Sequence, residues 1–217
     1  RQEVYTLEMT QEEEIKSPDR LLEFDLSAEL NHGIAVSNLA YAVAKELGQD
    51  EEFCYQLAIA GILHDIGKPL VTTKEGHAPK HNEAGVKVFN EQLKAFIPDK
   101  KLQRYIKTII YYHMHLMNIV RNGAKDYSYL KILKEIDGII RIEDLILITK
   151  CDKLGRYKDE HESINNFDLV MKEKMARLGK TAKKPLVNGN DLKSLGIKES
   201  SKYRELLDWA YDLQLRG

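Results

Sequence analysis

The sequence predicts an all-α protein, a helical bundle followed by a small helical C-terminal module. Three observations predict it. Apolar residues recur at helix spacing from Ser27 onward, no stretch alternates convincingly as a half-buried strand would, and the breaks carry helix-stop and helix-start chemistry, as at Gly48, Gly67-Lys68-Pro69 and Pro98-Asp99.

Residues Arg1 to Leu26 hold the run Glu12-Glu13-Glu14 and little periodicity, and read as an N-terminal arm, 1–26. In the first helix Leu30, Ile34, Leu39, Val43 and Leu47 recur, with Ser27 as N-cap and Gly48 as stop. A second starts at the Asp50 cap, carries Phe53, Leu57, Ala60 and Ile62, and ends near Gly67-Lys68-Pro69. After a loop from Val71 to Lys80, further periodic segments run Asn82 to Phe96, Lys100 to Met117, Tyr127 to Ile136 and Ile142 to Leu154. A charged stretch from Arg156 to Glu162 divides a domain at 27–160 from a tail at 161–217, with helices at Phe167 to Leu178 and Ser201 to Leu215.

Composition limits the function classes. The 217 residues are 43% hydrophobic and 31% charged, which suits a globular protein with one main core. Lys and Arg number 33 against 34 Asp and Glu, so no global field draws the chain to nucleic acid, and any RNA contact is local. Cys54 and Cys151 lie in apolar helical patterns, the signature of buried thiols in a reducing compartment, and the expectation is a cytoplasmic protein. No apolar stretch reaches membrane-span length, and Arg1 to Lys16 is too acidic and interrupted for a signal peptide.

The chemistry is carried by histidines and aspartates set in apolar frames. His64 and Asp65 close the run Ala58-Ile59-Ala60-Gly61-Ile62-Leu63, where burying each without a partner costs roughly 2–7 kcal/mol. A divalent ion compensates both, because imidazole nitrogen and carboxylate oxygen are ligands for Mn, Fe, Co, Ni or Mg-like ions. His32 lies early on the preceding helix, and a short connection between antiparallel helices brings it to the same end. Asp152, late in Leu145-Ile146-Leu147-Ile148-Thr149-Lys150-Cys151-Asp152, supplies another carboxylate in a hydrophobic frame. His77 and His161 sit in polar stretches and take no role, and His115 should face away from His113 toward the surface.

In this order, His32, then Leu63-His64-Asp65-Ile66-Gly67-Lys68-Pro69, then a distant Asp152, the chain resembles the HD phosphohydrolase superfamily. The resemblance implies His32, His64, Asp65 and Asp152 as metal ligands, with one or two divalent ions. By similarity, Asp65 bridges to a second ion held by His81 and His113. Asp65 and Lys68 are then the expected catalytic residues, Asp65 orienting the attacking water. Lys68, at the helix end, and Arg156 meet a phosphate oxygen.

A narrower resemblance joins His64 to Lys68, Lys80 to Gly85, His113-Met114, Cys151 to Arg156, and the tail strings Pro185 to Leu192 and Leu213 to Gly217. These look like the HD and tail region of bacterial CCA-adding tRNA nucleotidyltransferases and their poly(A)-polymerase-like relatives. Their nucleotidyltransferase head is missing, since nothing from Arg1 to Leu30 supplies a Gly-Ser pair followed by two spaced aspartates. The resemblance implies hydrolysis of a phosphomonoester or a 2′,3′-cyclic phosphodiester on a nucleotide or RNA end, by a stand-alone protein or a fragment of a longer one. The competing expectation is a non-catalytic RNA-binding module, its tail gripping tRNA phosphates through Lys180, Lys183, Lys184, Lys193, Lys198 and Lys202.

Overall fold

The computed structural model describes residues 26–156, 161–198 and 202–217. The predicted arm up to residue 25, residues 157–160 of the charged stretch and Ser201 lie outside the described residues. Helix α1 (Leu26–Glu46) is already under way before Ser27, so Ser27 is not its N-cap. It stops where Gly48 takes a left-handed φ of 71° and its N–H reaches the Lys45 carbonyl. Asp50 then caps α2 (Glu51–Leu63) by accepting the Phe53 N–H at 2.8 Å.

Antiparallel α1 and α2 approach closely because two glycines face backbone. A Cβ on Gly33 would lie 3.1 Å from the Ile62 carbonyl oxygen, and one on Gly61 would lie 3.2 Å from the Ser37 Cα. This closeness sets His32 beside the end of α2, as the sequence led us to expect.

Helix α2 ends at Leu63, short of the predicted Gly67, and a tight turn leads into α3 (Lys68–Val71). The turn is tightened by the Ile66 N–H on the Leu63 carbonyl and the Lys68 N–H on the Asp65 carbonyl, and Pro69 falls in the first turn of the new helix, where its missing N–H costs nothing. Helix α4 (His81–Val88) continues through a π turn at Phe89–Leu93 and a 3-10 turn at Lys94–Phe96, so the predicted segment is helical but irregular. Helix α5 (Lys100–Tyr112) is capped by Asp99, which accepts the Lys101 N–H at 2.7 Å.

The predicted helix from Lys100 to Met117 breaks at His113 and Met114 before α6 (His115–Arg121). The Thr149 hydroxyl donates to the His113 carbonyl at 2.9 Å, giving that carbonyl a partner from another helix. Helices α7 (Asp126–Ile136), α8 (Ile142–Leu154), α9 (His161–Leu178), α10 (Gly189–Ser194) and α11 (Lys202–Arg216) complete the chain, and no strand forms among the described residues.

Two apolar clusters form the interior. Val36, Ala40, Leu57, Phe89, Ile106, Ile110 and Ile148 build the first, and Leu116, Tyr129, Leu133, Ile142, Leu145, Phe167 and Met171 the second. Each fully buried large side chain stabilises by about 1.5–3 kcal/mol. Helix α8 enters both clusters, through Ile148 on one side and Ile142 and Leu145 on the other, and so delivers Asp152 from a doubly anchored rod. Phe167 and Met171 of α9 belong to the second cluster, which packs the first helix of the predicted tail into the interior.

Candidate metal centre

Each side chain of the centre is delivered by a helix or a helix end. His32 comes from within α1, and His64 terminates α2. Asp65 lies in the turn between α2 and α3, and Lys68 opens α3. His81 opens α4, His113 terminates α5, and Asp152 lies in the last turn of α8. Three C-terminal ends, those of α2, α5 and α8, therefore meet here, and the carbonyl ends of helix dipoles favour a cation.

His32, His64, Asp65 and Asp152 form one group whose ligand atoms all lie within 4.8 Å of one another, and Asp65, His81 and His113 form a second. Asp65 is common to both, and its two oxygens divide the work. Oδ2 lies 3.0 Å from His64 Nε2 and 3.8 Å from His32 Nε2, whereas Oδ1 lies 3.1 Å from His81 Nε2 and 3.4 Å from His113 Nε2. Asp152 Oδ1 completes the first group at 3.0 Å from His32 Nε2 and 3.5 Å from His64 Nε2.

All four imidazoles are held in one tautomeric sense by the backbone. Nδ1 of His64 donates to the Gly61 carbonyl at 2.6 Å, that of His81 to Ala78 at 2.8 Å, and that of His113 to Ile110 at 2.8 Å. His32 Nδ1 donates to the Gly155 carbonyl at 3.2 Å. A carbonyl only accepts, so each Nδ1 carries a proton and each ring turns its Nε2 inward.

Two consequences point to cations. His81 Nε2 and His113 Nε2 face each other at 3.3 Å, an arrangement of two lone pairs that needs positive charge beside it. His64 is fully buried and its Nε2 has no hydrogen-bond partner. The residues present thus fit divalent ions bound by nitrogen and carboxylate oxygen.

The charges tell the same story. Burial alone would push His64 down, but the neighbouring Asp65 charge overrides it and holds the ring up at about 10. Burial likewise works against ionising Asp65 and Asp152, yet the surrounding histidines keep both well below the usual carboxylate range. His113, deeply buried, is pushed down and stays neutral. Without an ion, the two carboxylates are balanced by Lys68, Arg156 and the neighbouring imidazoles, and the charge on the imidazoles is one that a divalent cation replaces.

The remaining predicted residues are all at the centre, engaged with its carboxylates. Lys68 Nζ forms an ion pair at 2.6 Å with Asp65 Oδ2, although that oxygen has no hydrogen bond of acceptable angle, and a second pair at 3.0 Å with Glu29. Arg156 reaches both Asp152 oxygens, at 3.1 and 3.3 Å, with its side chain 41% exposed. Glu29 is the neighbour that sequence reasoning missed, because an acidic residue in the first turn of a helix has no signature beyond its dipole. His115 corrects an expectation: it is half-buried, stacked on Tyr111 at 5.4 Å and packed by Tyr112 at 4.9 Å, because α5 breaks at His113 and α6 starts in a new direction. His77 and His161 are exposed.

Fold and site together define a helical bundle built around a divalent-metal centre. Residues 30–142, more than half of the chain, match the HD domain family, and the chain belongs to it. That superfamily comprises metal-dependent phosphohydrolases. The match stops at the first residue of α8, so Asp152 and Arg156 join the centre through the fold. A 59-residue stretch is 48% identical to ribonuclease Y of Helicobacter hepaticus, covering 27% of this chain and 10% of that protein. The chain thus matches about a tenth of the length of that relative. No solved structure matches. No described helix is long and apolar enough to cross a membrane.

Proposed function

We propose that the chain is a metal-dependent phosphohydrolase acting on phosphomonoester or 2′,3′-cyclic phosphodiester bonds of nucleotides or RNA ends, with two divalent ions sharing Asp65. One observation carries the reading: Asp65 turns its two oxygens toward two separate histidine sets, giving two ligand groups with one carboxylate in common. Divalent ions held by these two groups would supply a bound water of near-neutral pKa and Lewis-acid stabilisation of the charge that develops on a phosphate ester.

The protein's own groups then have distinct tasks. His32, His64 and Asp152 hold the first position, and His81 and His113 the second, with rings locked by their backbone carbonyls. Asp65 stays anionic and accepts a hydrogen bond from the attacking water, orienting it. Lys68, fixed by Glu29, neutralises the outer side of Asp65 and sits where a phosphate oxygen approaches. Arg156 steadies Asp152 through both of its oxygens and places a guanidinium, a group suited to phosphate, at the edge of the centre. The short ribonuclease Y likeness supports phosphate esters of RNA as substrates.

The test combines elemental analysis of purified protein with a screen of nucleoside monophosphates and 2′,3′-cyclic nucleotides under Mn, Ni, Co, Fe and Mg. Asp65→Ala is expected to lose bound metal and turnover together. Full metal content with unchanged activity in that variant overturns the assignment, and salt-sensitive RNA binding with no phosphate release under any ion favours a binding module instead.

A further inference from the structure

The oxygen through which Asp65 meets the first ligand group is also approached by a fixed cation. Asp65 Oδ2 has His64 Nε2 at 3.0 Å, His32 Nε2 at 3.8 Å and Lys68 Nζ at 2.6 Å. An ammonium therefore lies against the oxygen that this group would turn toward a divalent ion. The two cations are drawn to one atom and repel each other, strongly so in a partly buried setting. The Lys68 side chain is only 16% exposed, so solvent does little to relieve the conflict.

The directions of the Lys68 bonds show how the conflict is arranged. Nζ donates to both oxygens of Glu29, at 3.0 Å to Oε2 and at 3.2 Å to Oε1. Toward Asp65 the contact is close but makes no hydrogen bond of acceptable geometry, and Oδ2 has no hydrogen-bond partner. The N–H groups of Lys68 are thus aimed at Glu29, and its hold on Asp65 is Coulombic rather than directional. Glu29 comes from the first turn of α1, 39 positions before Lys68. Any acid in that turn would suit the helix dipole, whereas two hydrogen bonds to an ammonium beside a ligand carboxylate require this one.

We infer that Glu29 is a positioning residue that draws the Lys68 ammonium off Asp65 Oδ2, leaving that oxygen open to a divalent ion and the ammonium turned to the outer edge of the centre. The inference rests on the phosphohydrolase reading for what Lys68 then meets, a phosphate oxygen, but the effect on ion binding is a separate property. Without Glu29 the released ammonium settles on Asp65, the other carboxylate in its reach, and competes with the ion. The penalty then exists only in a chain that carries Lys68. A simple loss of negative charge near the centre would instead weaken the ion whether or not Lys68 is present.

A double-mutant cycle in the full chain separates the two. Calorimetric titration of Mn²⁺ into metal-stripped protein compares the parent, Glu29→Gln, Lys68→Met and the double variant, reading ion binding without turnover. Glu29→Gln should weaken Mn²⁺ binding by about tenfold or more, whereas the same change made on top of Lys68→Met should cost less than about threefold. Lys68→Met alone should bind Mn²⁺ as tightly as the parent or more tightly. Recovery of binding in the double variant also shows that Glu29→Gln did not act by unfolding α1, and the melting temperature of each metal-free variant checks this directly. Equal losses with and without Lys68 overturn the inference, as does unchanged affinity in Glu29→Gln. A parent chain that binds Mn²⁺ but cleaves no phosphate ester sinks the phosphohydrolase reading alone, and the cycle still decides the role of Glu29. A parent chain that binds no divalent ion removes the metal centre and this inference with it.

Discussion

At the scale of single residues, the centre depends as much on what holds the ligands as on the ligands themselves. Gly67 shows this most sharply. A Cβ there would lie 2.0 Å from the His81 carbonyl oxygen and 2.3 Å from the Gly85 N, both backbone atoms that cannot swing aside. Gly67→Ala must therefore push the turn after Asp65 away from the start of α4, separating Asp65 Oδ1 from His81 Nε2. Overpacking of this kind costs about 1–3 kcal/mol. We expect a Tm lower by several degrees and a metal stoichiometry reduced by the ion assigned to His81 and His113, read by calorimetry and elemental analysis. Retention of full stoichiometry at parental affinity would show that this contact does not position His81. The ligands were legible in sequence because ionisable residues in apolar runs demand compensation, as with His64, Asp65 and Asp152. Their supports were not. A carbonyl at Gly61, Ala78 or Ile110 and the carboxylate of Glu29 become partners only once helices are packed.

At the scale of elements, periodicity placed most helices and missed breaks made by distant contacts. Helix α8 has the predicted bounds Ile142 to Leu154. The interruption at His113 and Met114 was invisible, since the Thr149 hydroxyl that occupies the His113 carbonyl comes from another helix. The junction of α7 and α9 is of the same long-range kind. Asp126, in the first turn of α7, accepts from Lys174 Nζ at 3.1 Å and from both terminal nitrogens of Arg177. The Arg177 hydrogen bonds, foremost, hold the Asp126 carboxyl well below the usual carboxylate range.

The folded form therefore takes up this proton less readily than the unfolded chain does. Its contribution is complete above the unfolded value, about 3.9, and is lost as the pH falls through the lower folded value. The carboxylate side chain is 37% exposed, so after solvent screening the contribution is about 1 kcal/mol. Asp126→Asn should lower Tm at pH 7 by about 2–4 °C, with the gap to the parent closing as the solution is acidified below about pH 4. A gap that stays constant from neutral to strongly acid solution would exclude the ion pairs as its cause.

For the whole molecule, the centre ties together parts of the chain that are far apart in sequence. His32 of α1 and Asp152 of α8 are separated by 120 positions and meet at 3.0 Å, and α8 is also the helix shared by the two apolar clusters. A ligand that binds only the folded form stabilises it by about 2.7 kcal/mol at a hundredfold excess over Kd. For a chain of this size that corresponds to a Tm rise of about 5–10 °C. Chelation should therefore lower Tm by that amount, and restoring a saturating divalent ion should return it, monitored by calorimetry on the full chain. Asp152→Asn should remove most of the response because it weakens the α1–α8 link directly. His77→Ala, at an exposed loop position, should leave the response intact. If chelator and metal shift Tm equally in the parent and Asp152→Asn, the ion binds elsewhere, and the convergence of α1, α2 and α8 on His32, His64, Asp65 and Asp152 has another physical cause.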